Sequence, residues 1–227
     1  MREEPPDPAG SGERPWPNAR DLGRAGLLLT FAGIDILLVM RVLEAFYPGY
    51  SVHHSTISDL LALGAPTSLV GEPMLFLAAV AWMGGAYYLF RGSGRTGLRV
   101  LNLLPGTGLL LAVLSPENVN LLIHSIGAVL AFVPGPIAAI LSYRMTGSRF
   151  RYCALVMGVL SLAGAAIYFG TYETALVQQT LGPGGWERAI VYPLLVWLIG
   201  FGSYLLAKSD EVRGEETSRG IPGPSRT

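Results

Sequence analysis

The chain has 227 residues, of which 51% are hydrophobic and only 14% are charged. A soluble domain usually carries about 25% charged residues, so this composition excludes an ordinary soluble globular protein. The formal net charge is zero and Cys153 is the single cysteine, which excludes an intrachain disulfide and any site built from several cysteines. We expect a lipid bilayer around the protein and no nucleic-acid partner.

The chain begins with a polar tail and continues with long apolar segments. Residues 1–25 are rich in Pro, Gly, Glu and Arg and contain no apolar core of a signal peptide, so they are predicted to be disordered. Residues 208–227 have a similar composition and the same prediction. Between them are apolar runs long enough to cross ~30 Å of hydrocarbon. Six spans are predicted, at about 26–46, 69–90, 98–115, 121–143, 152–170 and 188–207. The predicted fold class is an all-α integral membrane protein, a six-transmembrane-helix bundle.

The basic residues predict the orientation of this bundle. The two tails and the loops that follow spans 2 and 4 carry 14 of the 16 Lys and Arg residues. Loops rich in Lys and Arg are retained in the cytoplasm. Both termini are therefore predicted to be cytoplasmic, in a multi-pass protein of the cell membrane.

The first span contains three charged residues. A charge at the bilayer centre costs at least ~2.5 kcal/mol, so such groups usually face inward and are paired. Arg41 and Glu44 are three residues apart and can pair within the helix. Asp35 needs another partner, such as Asn102 of the third span, or a proton. It is either a buried polar residue that locks helix packing or part of a proton or cation relay.

The polar stretch YPGYSVHHSTISDLLALGAP (residues 47–66) follows the first span. Thr56 and Asp59 fit a capping box before the apolar run at 60–63, and Gly64 to Pro66 end that run. A short helix at the membrane surface is therefore predicted. Ser58 and Asp59 are either purely structural or catalytic.

All three histidines lie on the predicted extracytoplasmic side. His53 and His54 are adjacent in sequence, so they cannot face the same way. His124 lies about one turn into the fourth span, where a histidine usually faces the protein interior. It either bonds a neighbouring helix or acts as a ligand or general base. Zinc or another divalent metal would need His53 or His54 together with Asp59 and His124.

The same side is acidic and has a single basic loop residue, Arg188. Its carboxylates are Asp59, Glu72, Glu117, Glu173 and Glu187. This charge balance favours a cationic ligand, a metal or a proton-linked process. The run at 182–185, GPGG, predicts a flexible turn before Glu187, Arg188 and Tyr192 of the last span. Arg188 either forms an interfacial salt bridge or binds a lipid phosphate.

The fourth span contains Pro134, Gly135 and Pro136 near its middle. The two prolines remove backbone hydrogen bonds, so a kink is predicted there.

Three segments resemble a known family. They are YPGYSVHHSTISDLLALGAP, the start of the fourth span, HSIGAVLAF, and the start of the sixth, ERAIVYP. Together they are similar to the membrane family catalogued as domain of unknown function 998, over about residues 25 to 207. The resemblance implies a six-helix integral membrane protein and no established reaction.

Three functions stay open, and whether the protein is an enzyme is undecided. The first is an enzyme or binding protein for lipid or isoprenoid groups at the extracytoplasmic face, with a site of His, Asp and Glu residues. The catalytic candidates are Ser58, His54, Asp59 and His124, and the candidates for binding a lipid or small molecule are Arg188, Glu187, Tyr192, Asp35 and Arg41. The second is a small proton- or cation-coupled transporter that uses Asp35 and the kinked fourth span. The third is a non-catalytic membrane interaction protein.

Overall fold

The computed structural model describes residues 16–91 and 96–218. In these ranges, six helical segments are long and apolar enough to cross a membrane, which confirms the predicted all-α six-span class. The helices are α1 (Ala19–Phe46), α2 (Ser68–Phe90), α3 (Thr96–Leu114), α4 (Leu121–Phe132), α5 (Pro134–Ser142), α6 (Phe150–Thr171), α7 (Ala175–Gln179) and α8 (Gly182–Ser218). Helices α4 and α5 together form the fourth span. A short 3₁₀ helix, Ser58–Leu61, lies between α1 and α2.

The fourth span is broken at Val133, as the two prolines predict. Helix α4 ends at Phe132, where the Val133 N–H still donates to the Val129 carbonyl at 3.1 Å. Pro134 then starts α5 and has no N–H with which to continue the ladder.

The first and last helices are longer than predicted. Residues 19–25 and 208–218 are helical, so these parts of the two predicted tails are not disordered; residues 1–15 and 219–227 lie outside the described part of the chain. The Asn18 side chain caps α1 by accepting from the Asp21 N–H at 2.9 Å. The Ala19 N–H donates to Glu216 at 3.5 Å, so the two extensions also contact each other. The sequence prediction placed the ends of these helices at residues 26 and 207, where the apolar run begins and ends. The helical residues beyond those points are more polar, so the apolar pattern does not include them.

Glycines bring α3 and α4 into close contact. A Cβ on Gly127 would lie 2.8 Å from the Gly108 carbonyl oxygen, and a Cβ on Gly108 would lie 2.4 Å from the Ala131 nitrogen. Small residues allow helix backbones to approach in this way. The contact holds the C-terminal carbonyls of α3 beside the first turns of α4.

The GPGG run is the first turn of α8 and not a flexible loop, so the sequence interpretation was wrong here. Gly182 to Gly184 are buried, because the backbone of the polar stretch lies directly against them. A Cβ on Gly184 would lie 1.9 Å from the Ser55 carbonyl oxygen, and one on Gly182 would lie 2.0 Å from that of His53. Glycine therefore serves close packing at the start of this helix, although it usually signals a turn.

Residues 47–67, 115–120 and 172–181 lie at the same end of the bundle, which we call the histidine end. The Leu63 N–H donates to the Asn118 side chain at 2.9 Å, and the Asn118 amide donates to the Leu63 carbonyl at 3.0 Å. This reciprocal pair ties the first two loops together and so fixes the polar stretch over the ends of α3 and α4.

Candidate functional site at the histidine end

Ser58 and His124 form a hydrogen-bonded pair. The Ser58 Oγ lies 2.8 Å from His124 Nε2, and His124 Nδ1 lies 3.0 Å from the Ser115 carbonyl oxygen and 3.3 Å from that of Ala112. A carbonyl only accepts, so Nδ1 carries a proton, and in the neutral imidazole Nε2 then accepts from the Ser58 hydroxyl. A serine that donates to an oriented imidazole is the arrangement of a base-activated nucleophile.

Local capping motifs place both members of this pair. The Thr56 N–H donates to Asp59 Oδ2 at 2.8 Å and the Asp59 N–H donates to Thr56 Oγ1 at 3.1 Å, which confirms the predicted capping box. The Asn120 side chain caps α4 by accepting from the Ile123 N–H at 3.1 Å. His124 therefore lies at the end of the first turn of α4, buried and facing the polar stretch.

An apolar cavity of about 80 Å³ lies next to the pair inside the bundle. Ser58 and His124 contribute a hydroxyl and an imidazole to its wall, and the rest of the lining is aliphatic or aromatic. The apolar lining comes from the polar stretch and from α1, α2, α3, α4 and α8, and it includes Leu61, Met40, Trp82, Leu109, Phe132 and Leu195. The hydrogen-bonded pair of Ser58 and His124 thus lies at the wall of a space suited to a hydrocarbon group.

Arg188 forms a buried ion pair with Glu44. Its Nη2 and Nε donate to Glu44 Oε1 at 2.6 and 3.0 Å, and Nη1 donates to the Gly184 carbonyl at 2.7 Å. The predicted pair of Arg41 with Glu44 is also present, at 2.5 Å. Arg188 therefore forms a salt bridge, one of its two predicted roles, and its N–H groups donate to acceptors of the protein. The other role of Arg188, the binding of a lipid phosphate, stays a prediction.

Tyr50 extends this ion pair to the backbone of the polar stretch. Arg188 Nη2 donates to the Tyr50 hydroxyl at 2.6 Å, and that hydroxyl donates to the Thr56 carbonyl at 2.6 Å. Burial raises the pKa of Tyr50 to about 12, against the opposing effect of the Arg188 charge and hydrogen bond. The hydroxyl therefore keeps its proton at neutral pH and remains a donor.

Glu187 reaches the same backbone from α8. Its Oε2 accepts from the Ile57 N–H at 2.5 Å and its Oε1 accepts from the Tyr168 hydroxyl at 3.2 Å. The Glu187 side chain is buried, so it faces the interior of the histidine end and not the solvent.

A pair of carboxyl groups lies beside the Ser58 turn. Burial, a hydrogen bond with Asp59 and the charges of Asp59 and Glu187 together raise the pKa of Glu117 to about 7, with burial as the largest cause. At neutral pH, Glu117 is therefore protonated in a large fraction of the molecules, next to Asp59 of the capping box.

The sequence model of a protein family described as "Protein of unknown function (DUF998)" matches residues 30–204. The chain belongs to the DUF998 family. This match spans most of the described helices, including the Ser58 and His124 pair, and confirms the resemblance seen in the sequence. Comparison with curated proteins found no significant match, and the same holds for solved structures.

The adjacent histidines of this DUF998 protein, His53 and His54, contact each other and not the pair of Ser58 and His124. His53 packs against Gly182 at the start of α8, and its ring centroid is 4.5 Å from that of His54. In the described ranges, no three His, Cys, Asp or Glu side chains are grouped to hold a metal ion. The four candidate ligands are therefore not grouped as a metal site, and both ring nitrogens of His124 already have partners: Nδ1 the carbonyls of Ala112 and Ser115, and Nε2 the Ser58 hydroxyl.

Asp35 is buried in α1, and its Oδ2 has no hydrogen-bond partner in the described part of the chain. Asn102, a predicted partner, instead donates to the Leu98 carbonyl at 2.9 Å. Tyr192 lies under the Arg41 guanidinium, 5.0 Å from ring centroid to Cζ. Of the predicted binding residues, Arg188 and Arg41 both contact Glu44, Tyr192 contacts Arg41, and Glu187 precedes Arg188 in α8. Asp35 is not part of this group.

Two tyrosines of the histidine end were not predicted. Tyr50 contacts Arg188 and Tyr168 contacts Glu187, but they are two of ten tyrosines, and nothing in the pattern of residues around either one predicts these contacts. Their roles arise from contacts between residues 19 to 138 positions apart, which no local pattern reveals.

Proposed function

We propose that this DUF998 protein is a membrane-embedded, lipid-directed serine enzyme that cleaves or transfers an acyl ester. The observation that carries the proposal is the 2.8 Å contact of Ser58 Oγ with His124 Nε2 at the wall of an apolar cavity. The distance suits proton transfer, and the cavity suits one end of an acyl or isoprenoid chain. From the distribution of arginine, we place this end of the bundle on the extracytoplasmic side of the cell membrane.

The reaction uses the pair as nucleophile and base. Ser58 Oγ attacks the ester carbonyl carbon while its proton passes to His124 Nε2. The tetrahedral intermediate collapses, the ester C–O bond breaks, and the imidazolium returns the proton to the leaving alkoxide. Water or an acceptor alcohol, deprotonated by the same imidazole, then attacks the acyl carbon. The bond of that carbon to Ser58 Oγ breaks, the imidazolium returns the proton to Oγ, and the acid or the new ester leaves. The Ser115 carbonyl holds Nδ1–H throughout and stabilises the imidazolium.

A serine-directed fluorophosphonate tests this function without a known substrate. We expect the probe to label Ser58 in the detergent-purified protein, as mapped by mass spectrometry, and Ser58→Ala to abolish the label. His124→Asn should slow labelling about 10²-fold or more, because a general base contributes about 10²–10⁴-fold.

The matched control is Ser68→Ala, at the same end of the bundle, where the hydroxyl only donates to the Ala65 carbonyl. It should label like the wild type. A folded wild-type protein that leaves Ser58 unlabelled would contradict the proposal and favour a non-catalytic interaction protein.

A second candidate function is proton- or cation-coupled transport through Asp35. It is favoured by the buried Oδ2 without a partner and by the break in the fourth span. Proteoliposomes loaded with a pH-sensitive dye would test it. Proton flux that is present in the wild type and lost in Asp35→Asn would support transport, and equal flux in both proteins would exclude this role of Asp35.

A further inference from the structure

The peptide group that joins Thr56 and Ile57 is held at both of its polar ends. Its N–H donates to Glu187 Oε2 at 2.5 Å. Its carbonyl accepts from the Tyr50 hydroxyl at 2.6 Å, and that hydroxyl in turn accepts from Arg188 at 2.6 Å. Two consecutive residues of α8 therefore fix the orientation of the peptide plane one residue before Ser58.

The side chains that hold this peptide are themselves fixed. Arg188 is anchored by Glu44 of α1 and by the Gly184 carbonyl, and Glu187 by the Tyr168 hydroxyl of α6. Both side chains are at least nine-tenths buried. Burying a carboxylate is costly, and here the carboxylate satisfies a backbone N–H that has no partner within its own short helix.

We infer that Glu187 is a positioning residue for Ser58, with Arg188 and Tyr50 holding the other end of the same peptide group. The inference rests on the proposed function, since it concerns how the nucleophile is aligned. Rotation of this peptide plane would turn the start of the 3₁₀ helix and move Ser58 Oγ away from His124 Nε2. Supporting groups on rigid helices prevent such displacements, and a displacement of about 1 Å can reduce a rate about 10²-fold.

Two variants separate the hydrogen bond from the mere presence of a side chain. Glu187→Gln keeps an oxygen that accepts from the Ile57 N–H, whereas Glu187→Leu fills similar volume and accepts nothing. Glu173→Leu is the matched control, an exposed carboxylate at the same end of the bundle. The fluorophosphonate gives both the affinity constant of the probe and its maximal rate of bond formation.

We expect Glu187→Leu to lower the maximal labelling rate about 10–100-fold with little change in probe affinity. Glu187→Gln should restore most of the rate, and Glu173→Leu should label like the wild type. Hydrogen–deuterium exchange provides the second readout: the Ile57 amide should exchange faster in Glu187→Leu and at the wild-type rate in Glu187→Gln.

Each outcome decides between the inference and the function on which it rests. Wild-type labelling that is unchanged in a folded Glu187→Leu protein overturns the inference and leaves the serine enzyme in place. Slower labelling without faster Ile57 exchange also overturns it, because Glu187 would then act by another route. A wild type that is never labelled removes the enzyme, and Ile57 exchange then still shows whether Glu187 holds the peptide.

Discussion

The ion pair of Arg188 with Glu44 leads to a sharp prediction about stability. The two side chains are 4% and 9% exposed, and Arg188 donates to three different acceptors: Glu44, the Gly184 carbonyl and Tyr50. Removing one member of a buried pair costs about 3–5 kcal/mol, because the other charge stays buried without compensation. In Arg188→Met, Arg41 still contacts Glu44, so we expect a loss near the lower end, about 3 kcal/mol.

Arg41→Met is the matched control because Arg41 contacts the same carboxylate from a partly exposed position. Its side chain is 42% exposed, so its ion pair and its contact with the Tyr192 ring should together contribute about 1 kcal/mol. Unfolding in mixed micelles, titrated with a denaturing detergent and followed by tryptophan fluorescence, measures both losses.

A double variant tests the reasoning itself. Replacing both charges, in Glu44→Met with Arg188→Met, should recover at least half of the loss caused by Arg188→Met, since no buried charge is left unpaired. If Arg188→Met costs no more than Arg41→Met, or if the double variant is less stable than the single one, the cost does not come from an uncompensated carboxylate.

Two further predictions concern the packing and the protonation of the histidine end. Gly184→Ala should destabilise the protein by about 1–3 kcal/mol, because the new Cβ would lie 1.9 Å from the Ser55 carbonyl oxygen. Gly214→Ala in the same helix has open space around the new Cβ, so it should be neutral or stabilising by up to about 1 kcal/mol. Unfolding with the denaturing detergent measures both changes. The pKa of Glu117 rises from 4.5 to about 7 on folding, so the folded state binds the extra proton between these values, and stability should fall as the pH rises from about 4.5 to 7. Glu117→Gln should flatten that part of the stability profile measured from pH 4 to 8, and an unchanged slope would assign it to another group.

Features that depend on local sequence could be predicted directly. The six spans follow from the lengths of the apolar segments. Backbone N–H and C=O groups without hydrogen bonds are too costly in lipid, so an apolar segment of this length crosses the membrane as a helix. The capping box of Thr56 and Asp59 follows from a three-residue spacing, the pair of Arg41 with Glu44 from helical periodicity, and the break at Val133 from the ring of Pro134. Each of these interactions is complete within about one helical turn.

Features that depend on contacts between distant segments needed the tertiary structure. Ser58 and His124 are recognisable as candidates in the sequence, but they are 66 positions apart. Only the close approach of α3 to α4 and the folding of the polar stretch bring them to 2.8 Å. A metal site of His124, Asp59 and either His53 or His54 was expected because these residues share one predicted side of the membrane. A shared side leaves many possible neighbours, and only packing decides among them. The GPGG run is the clearest example of an effect of packing. Glycines in a sequence usually indicate a turn, but here the lack of a side chain lets the backbone at His53 and Ser55, about 130 positions earlier, pack directly against α8.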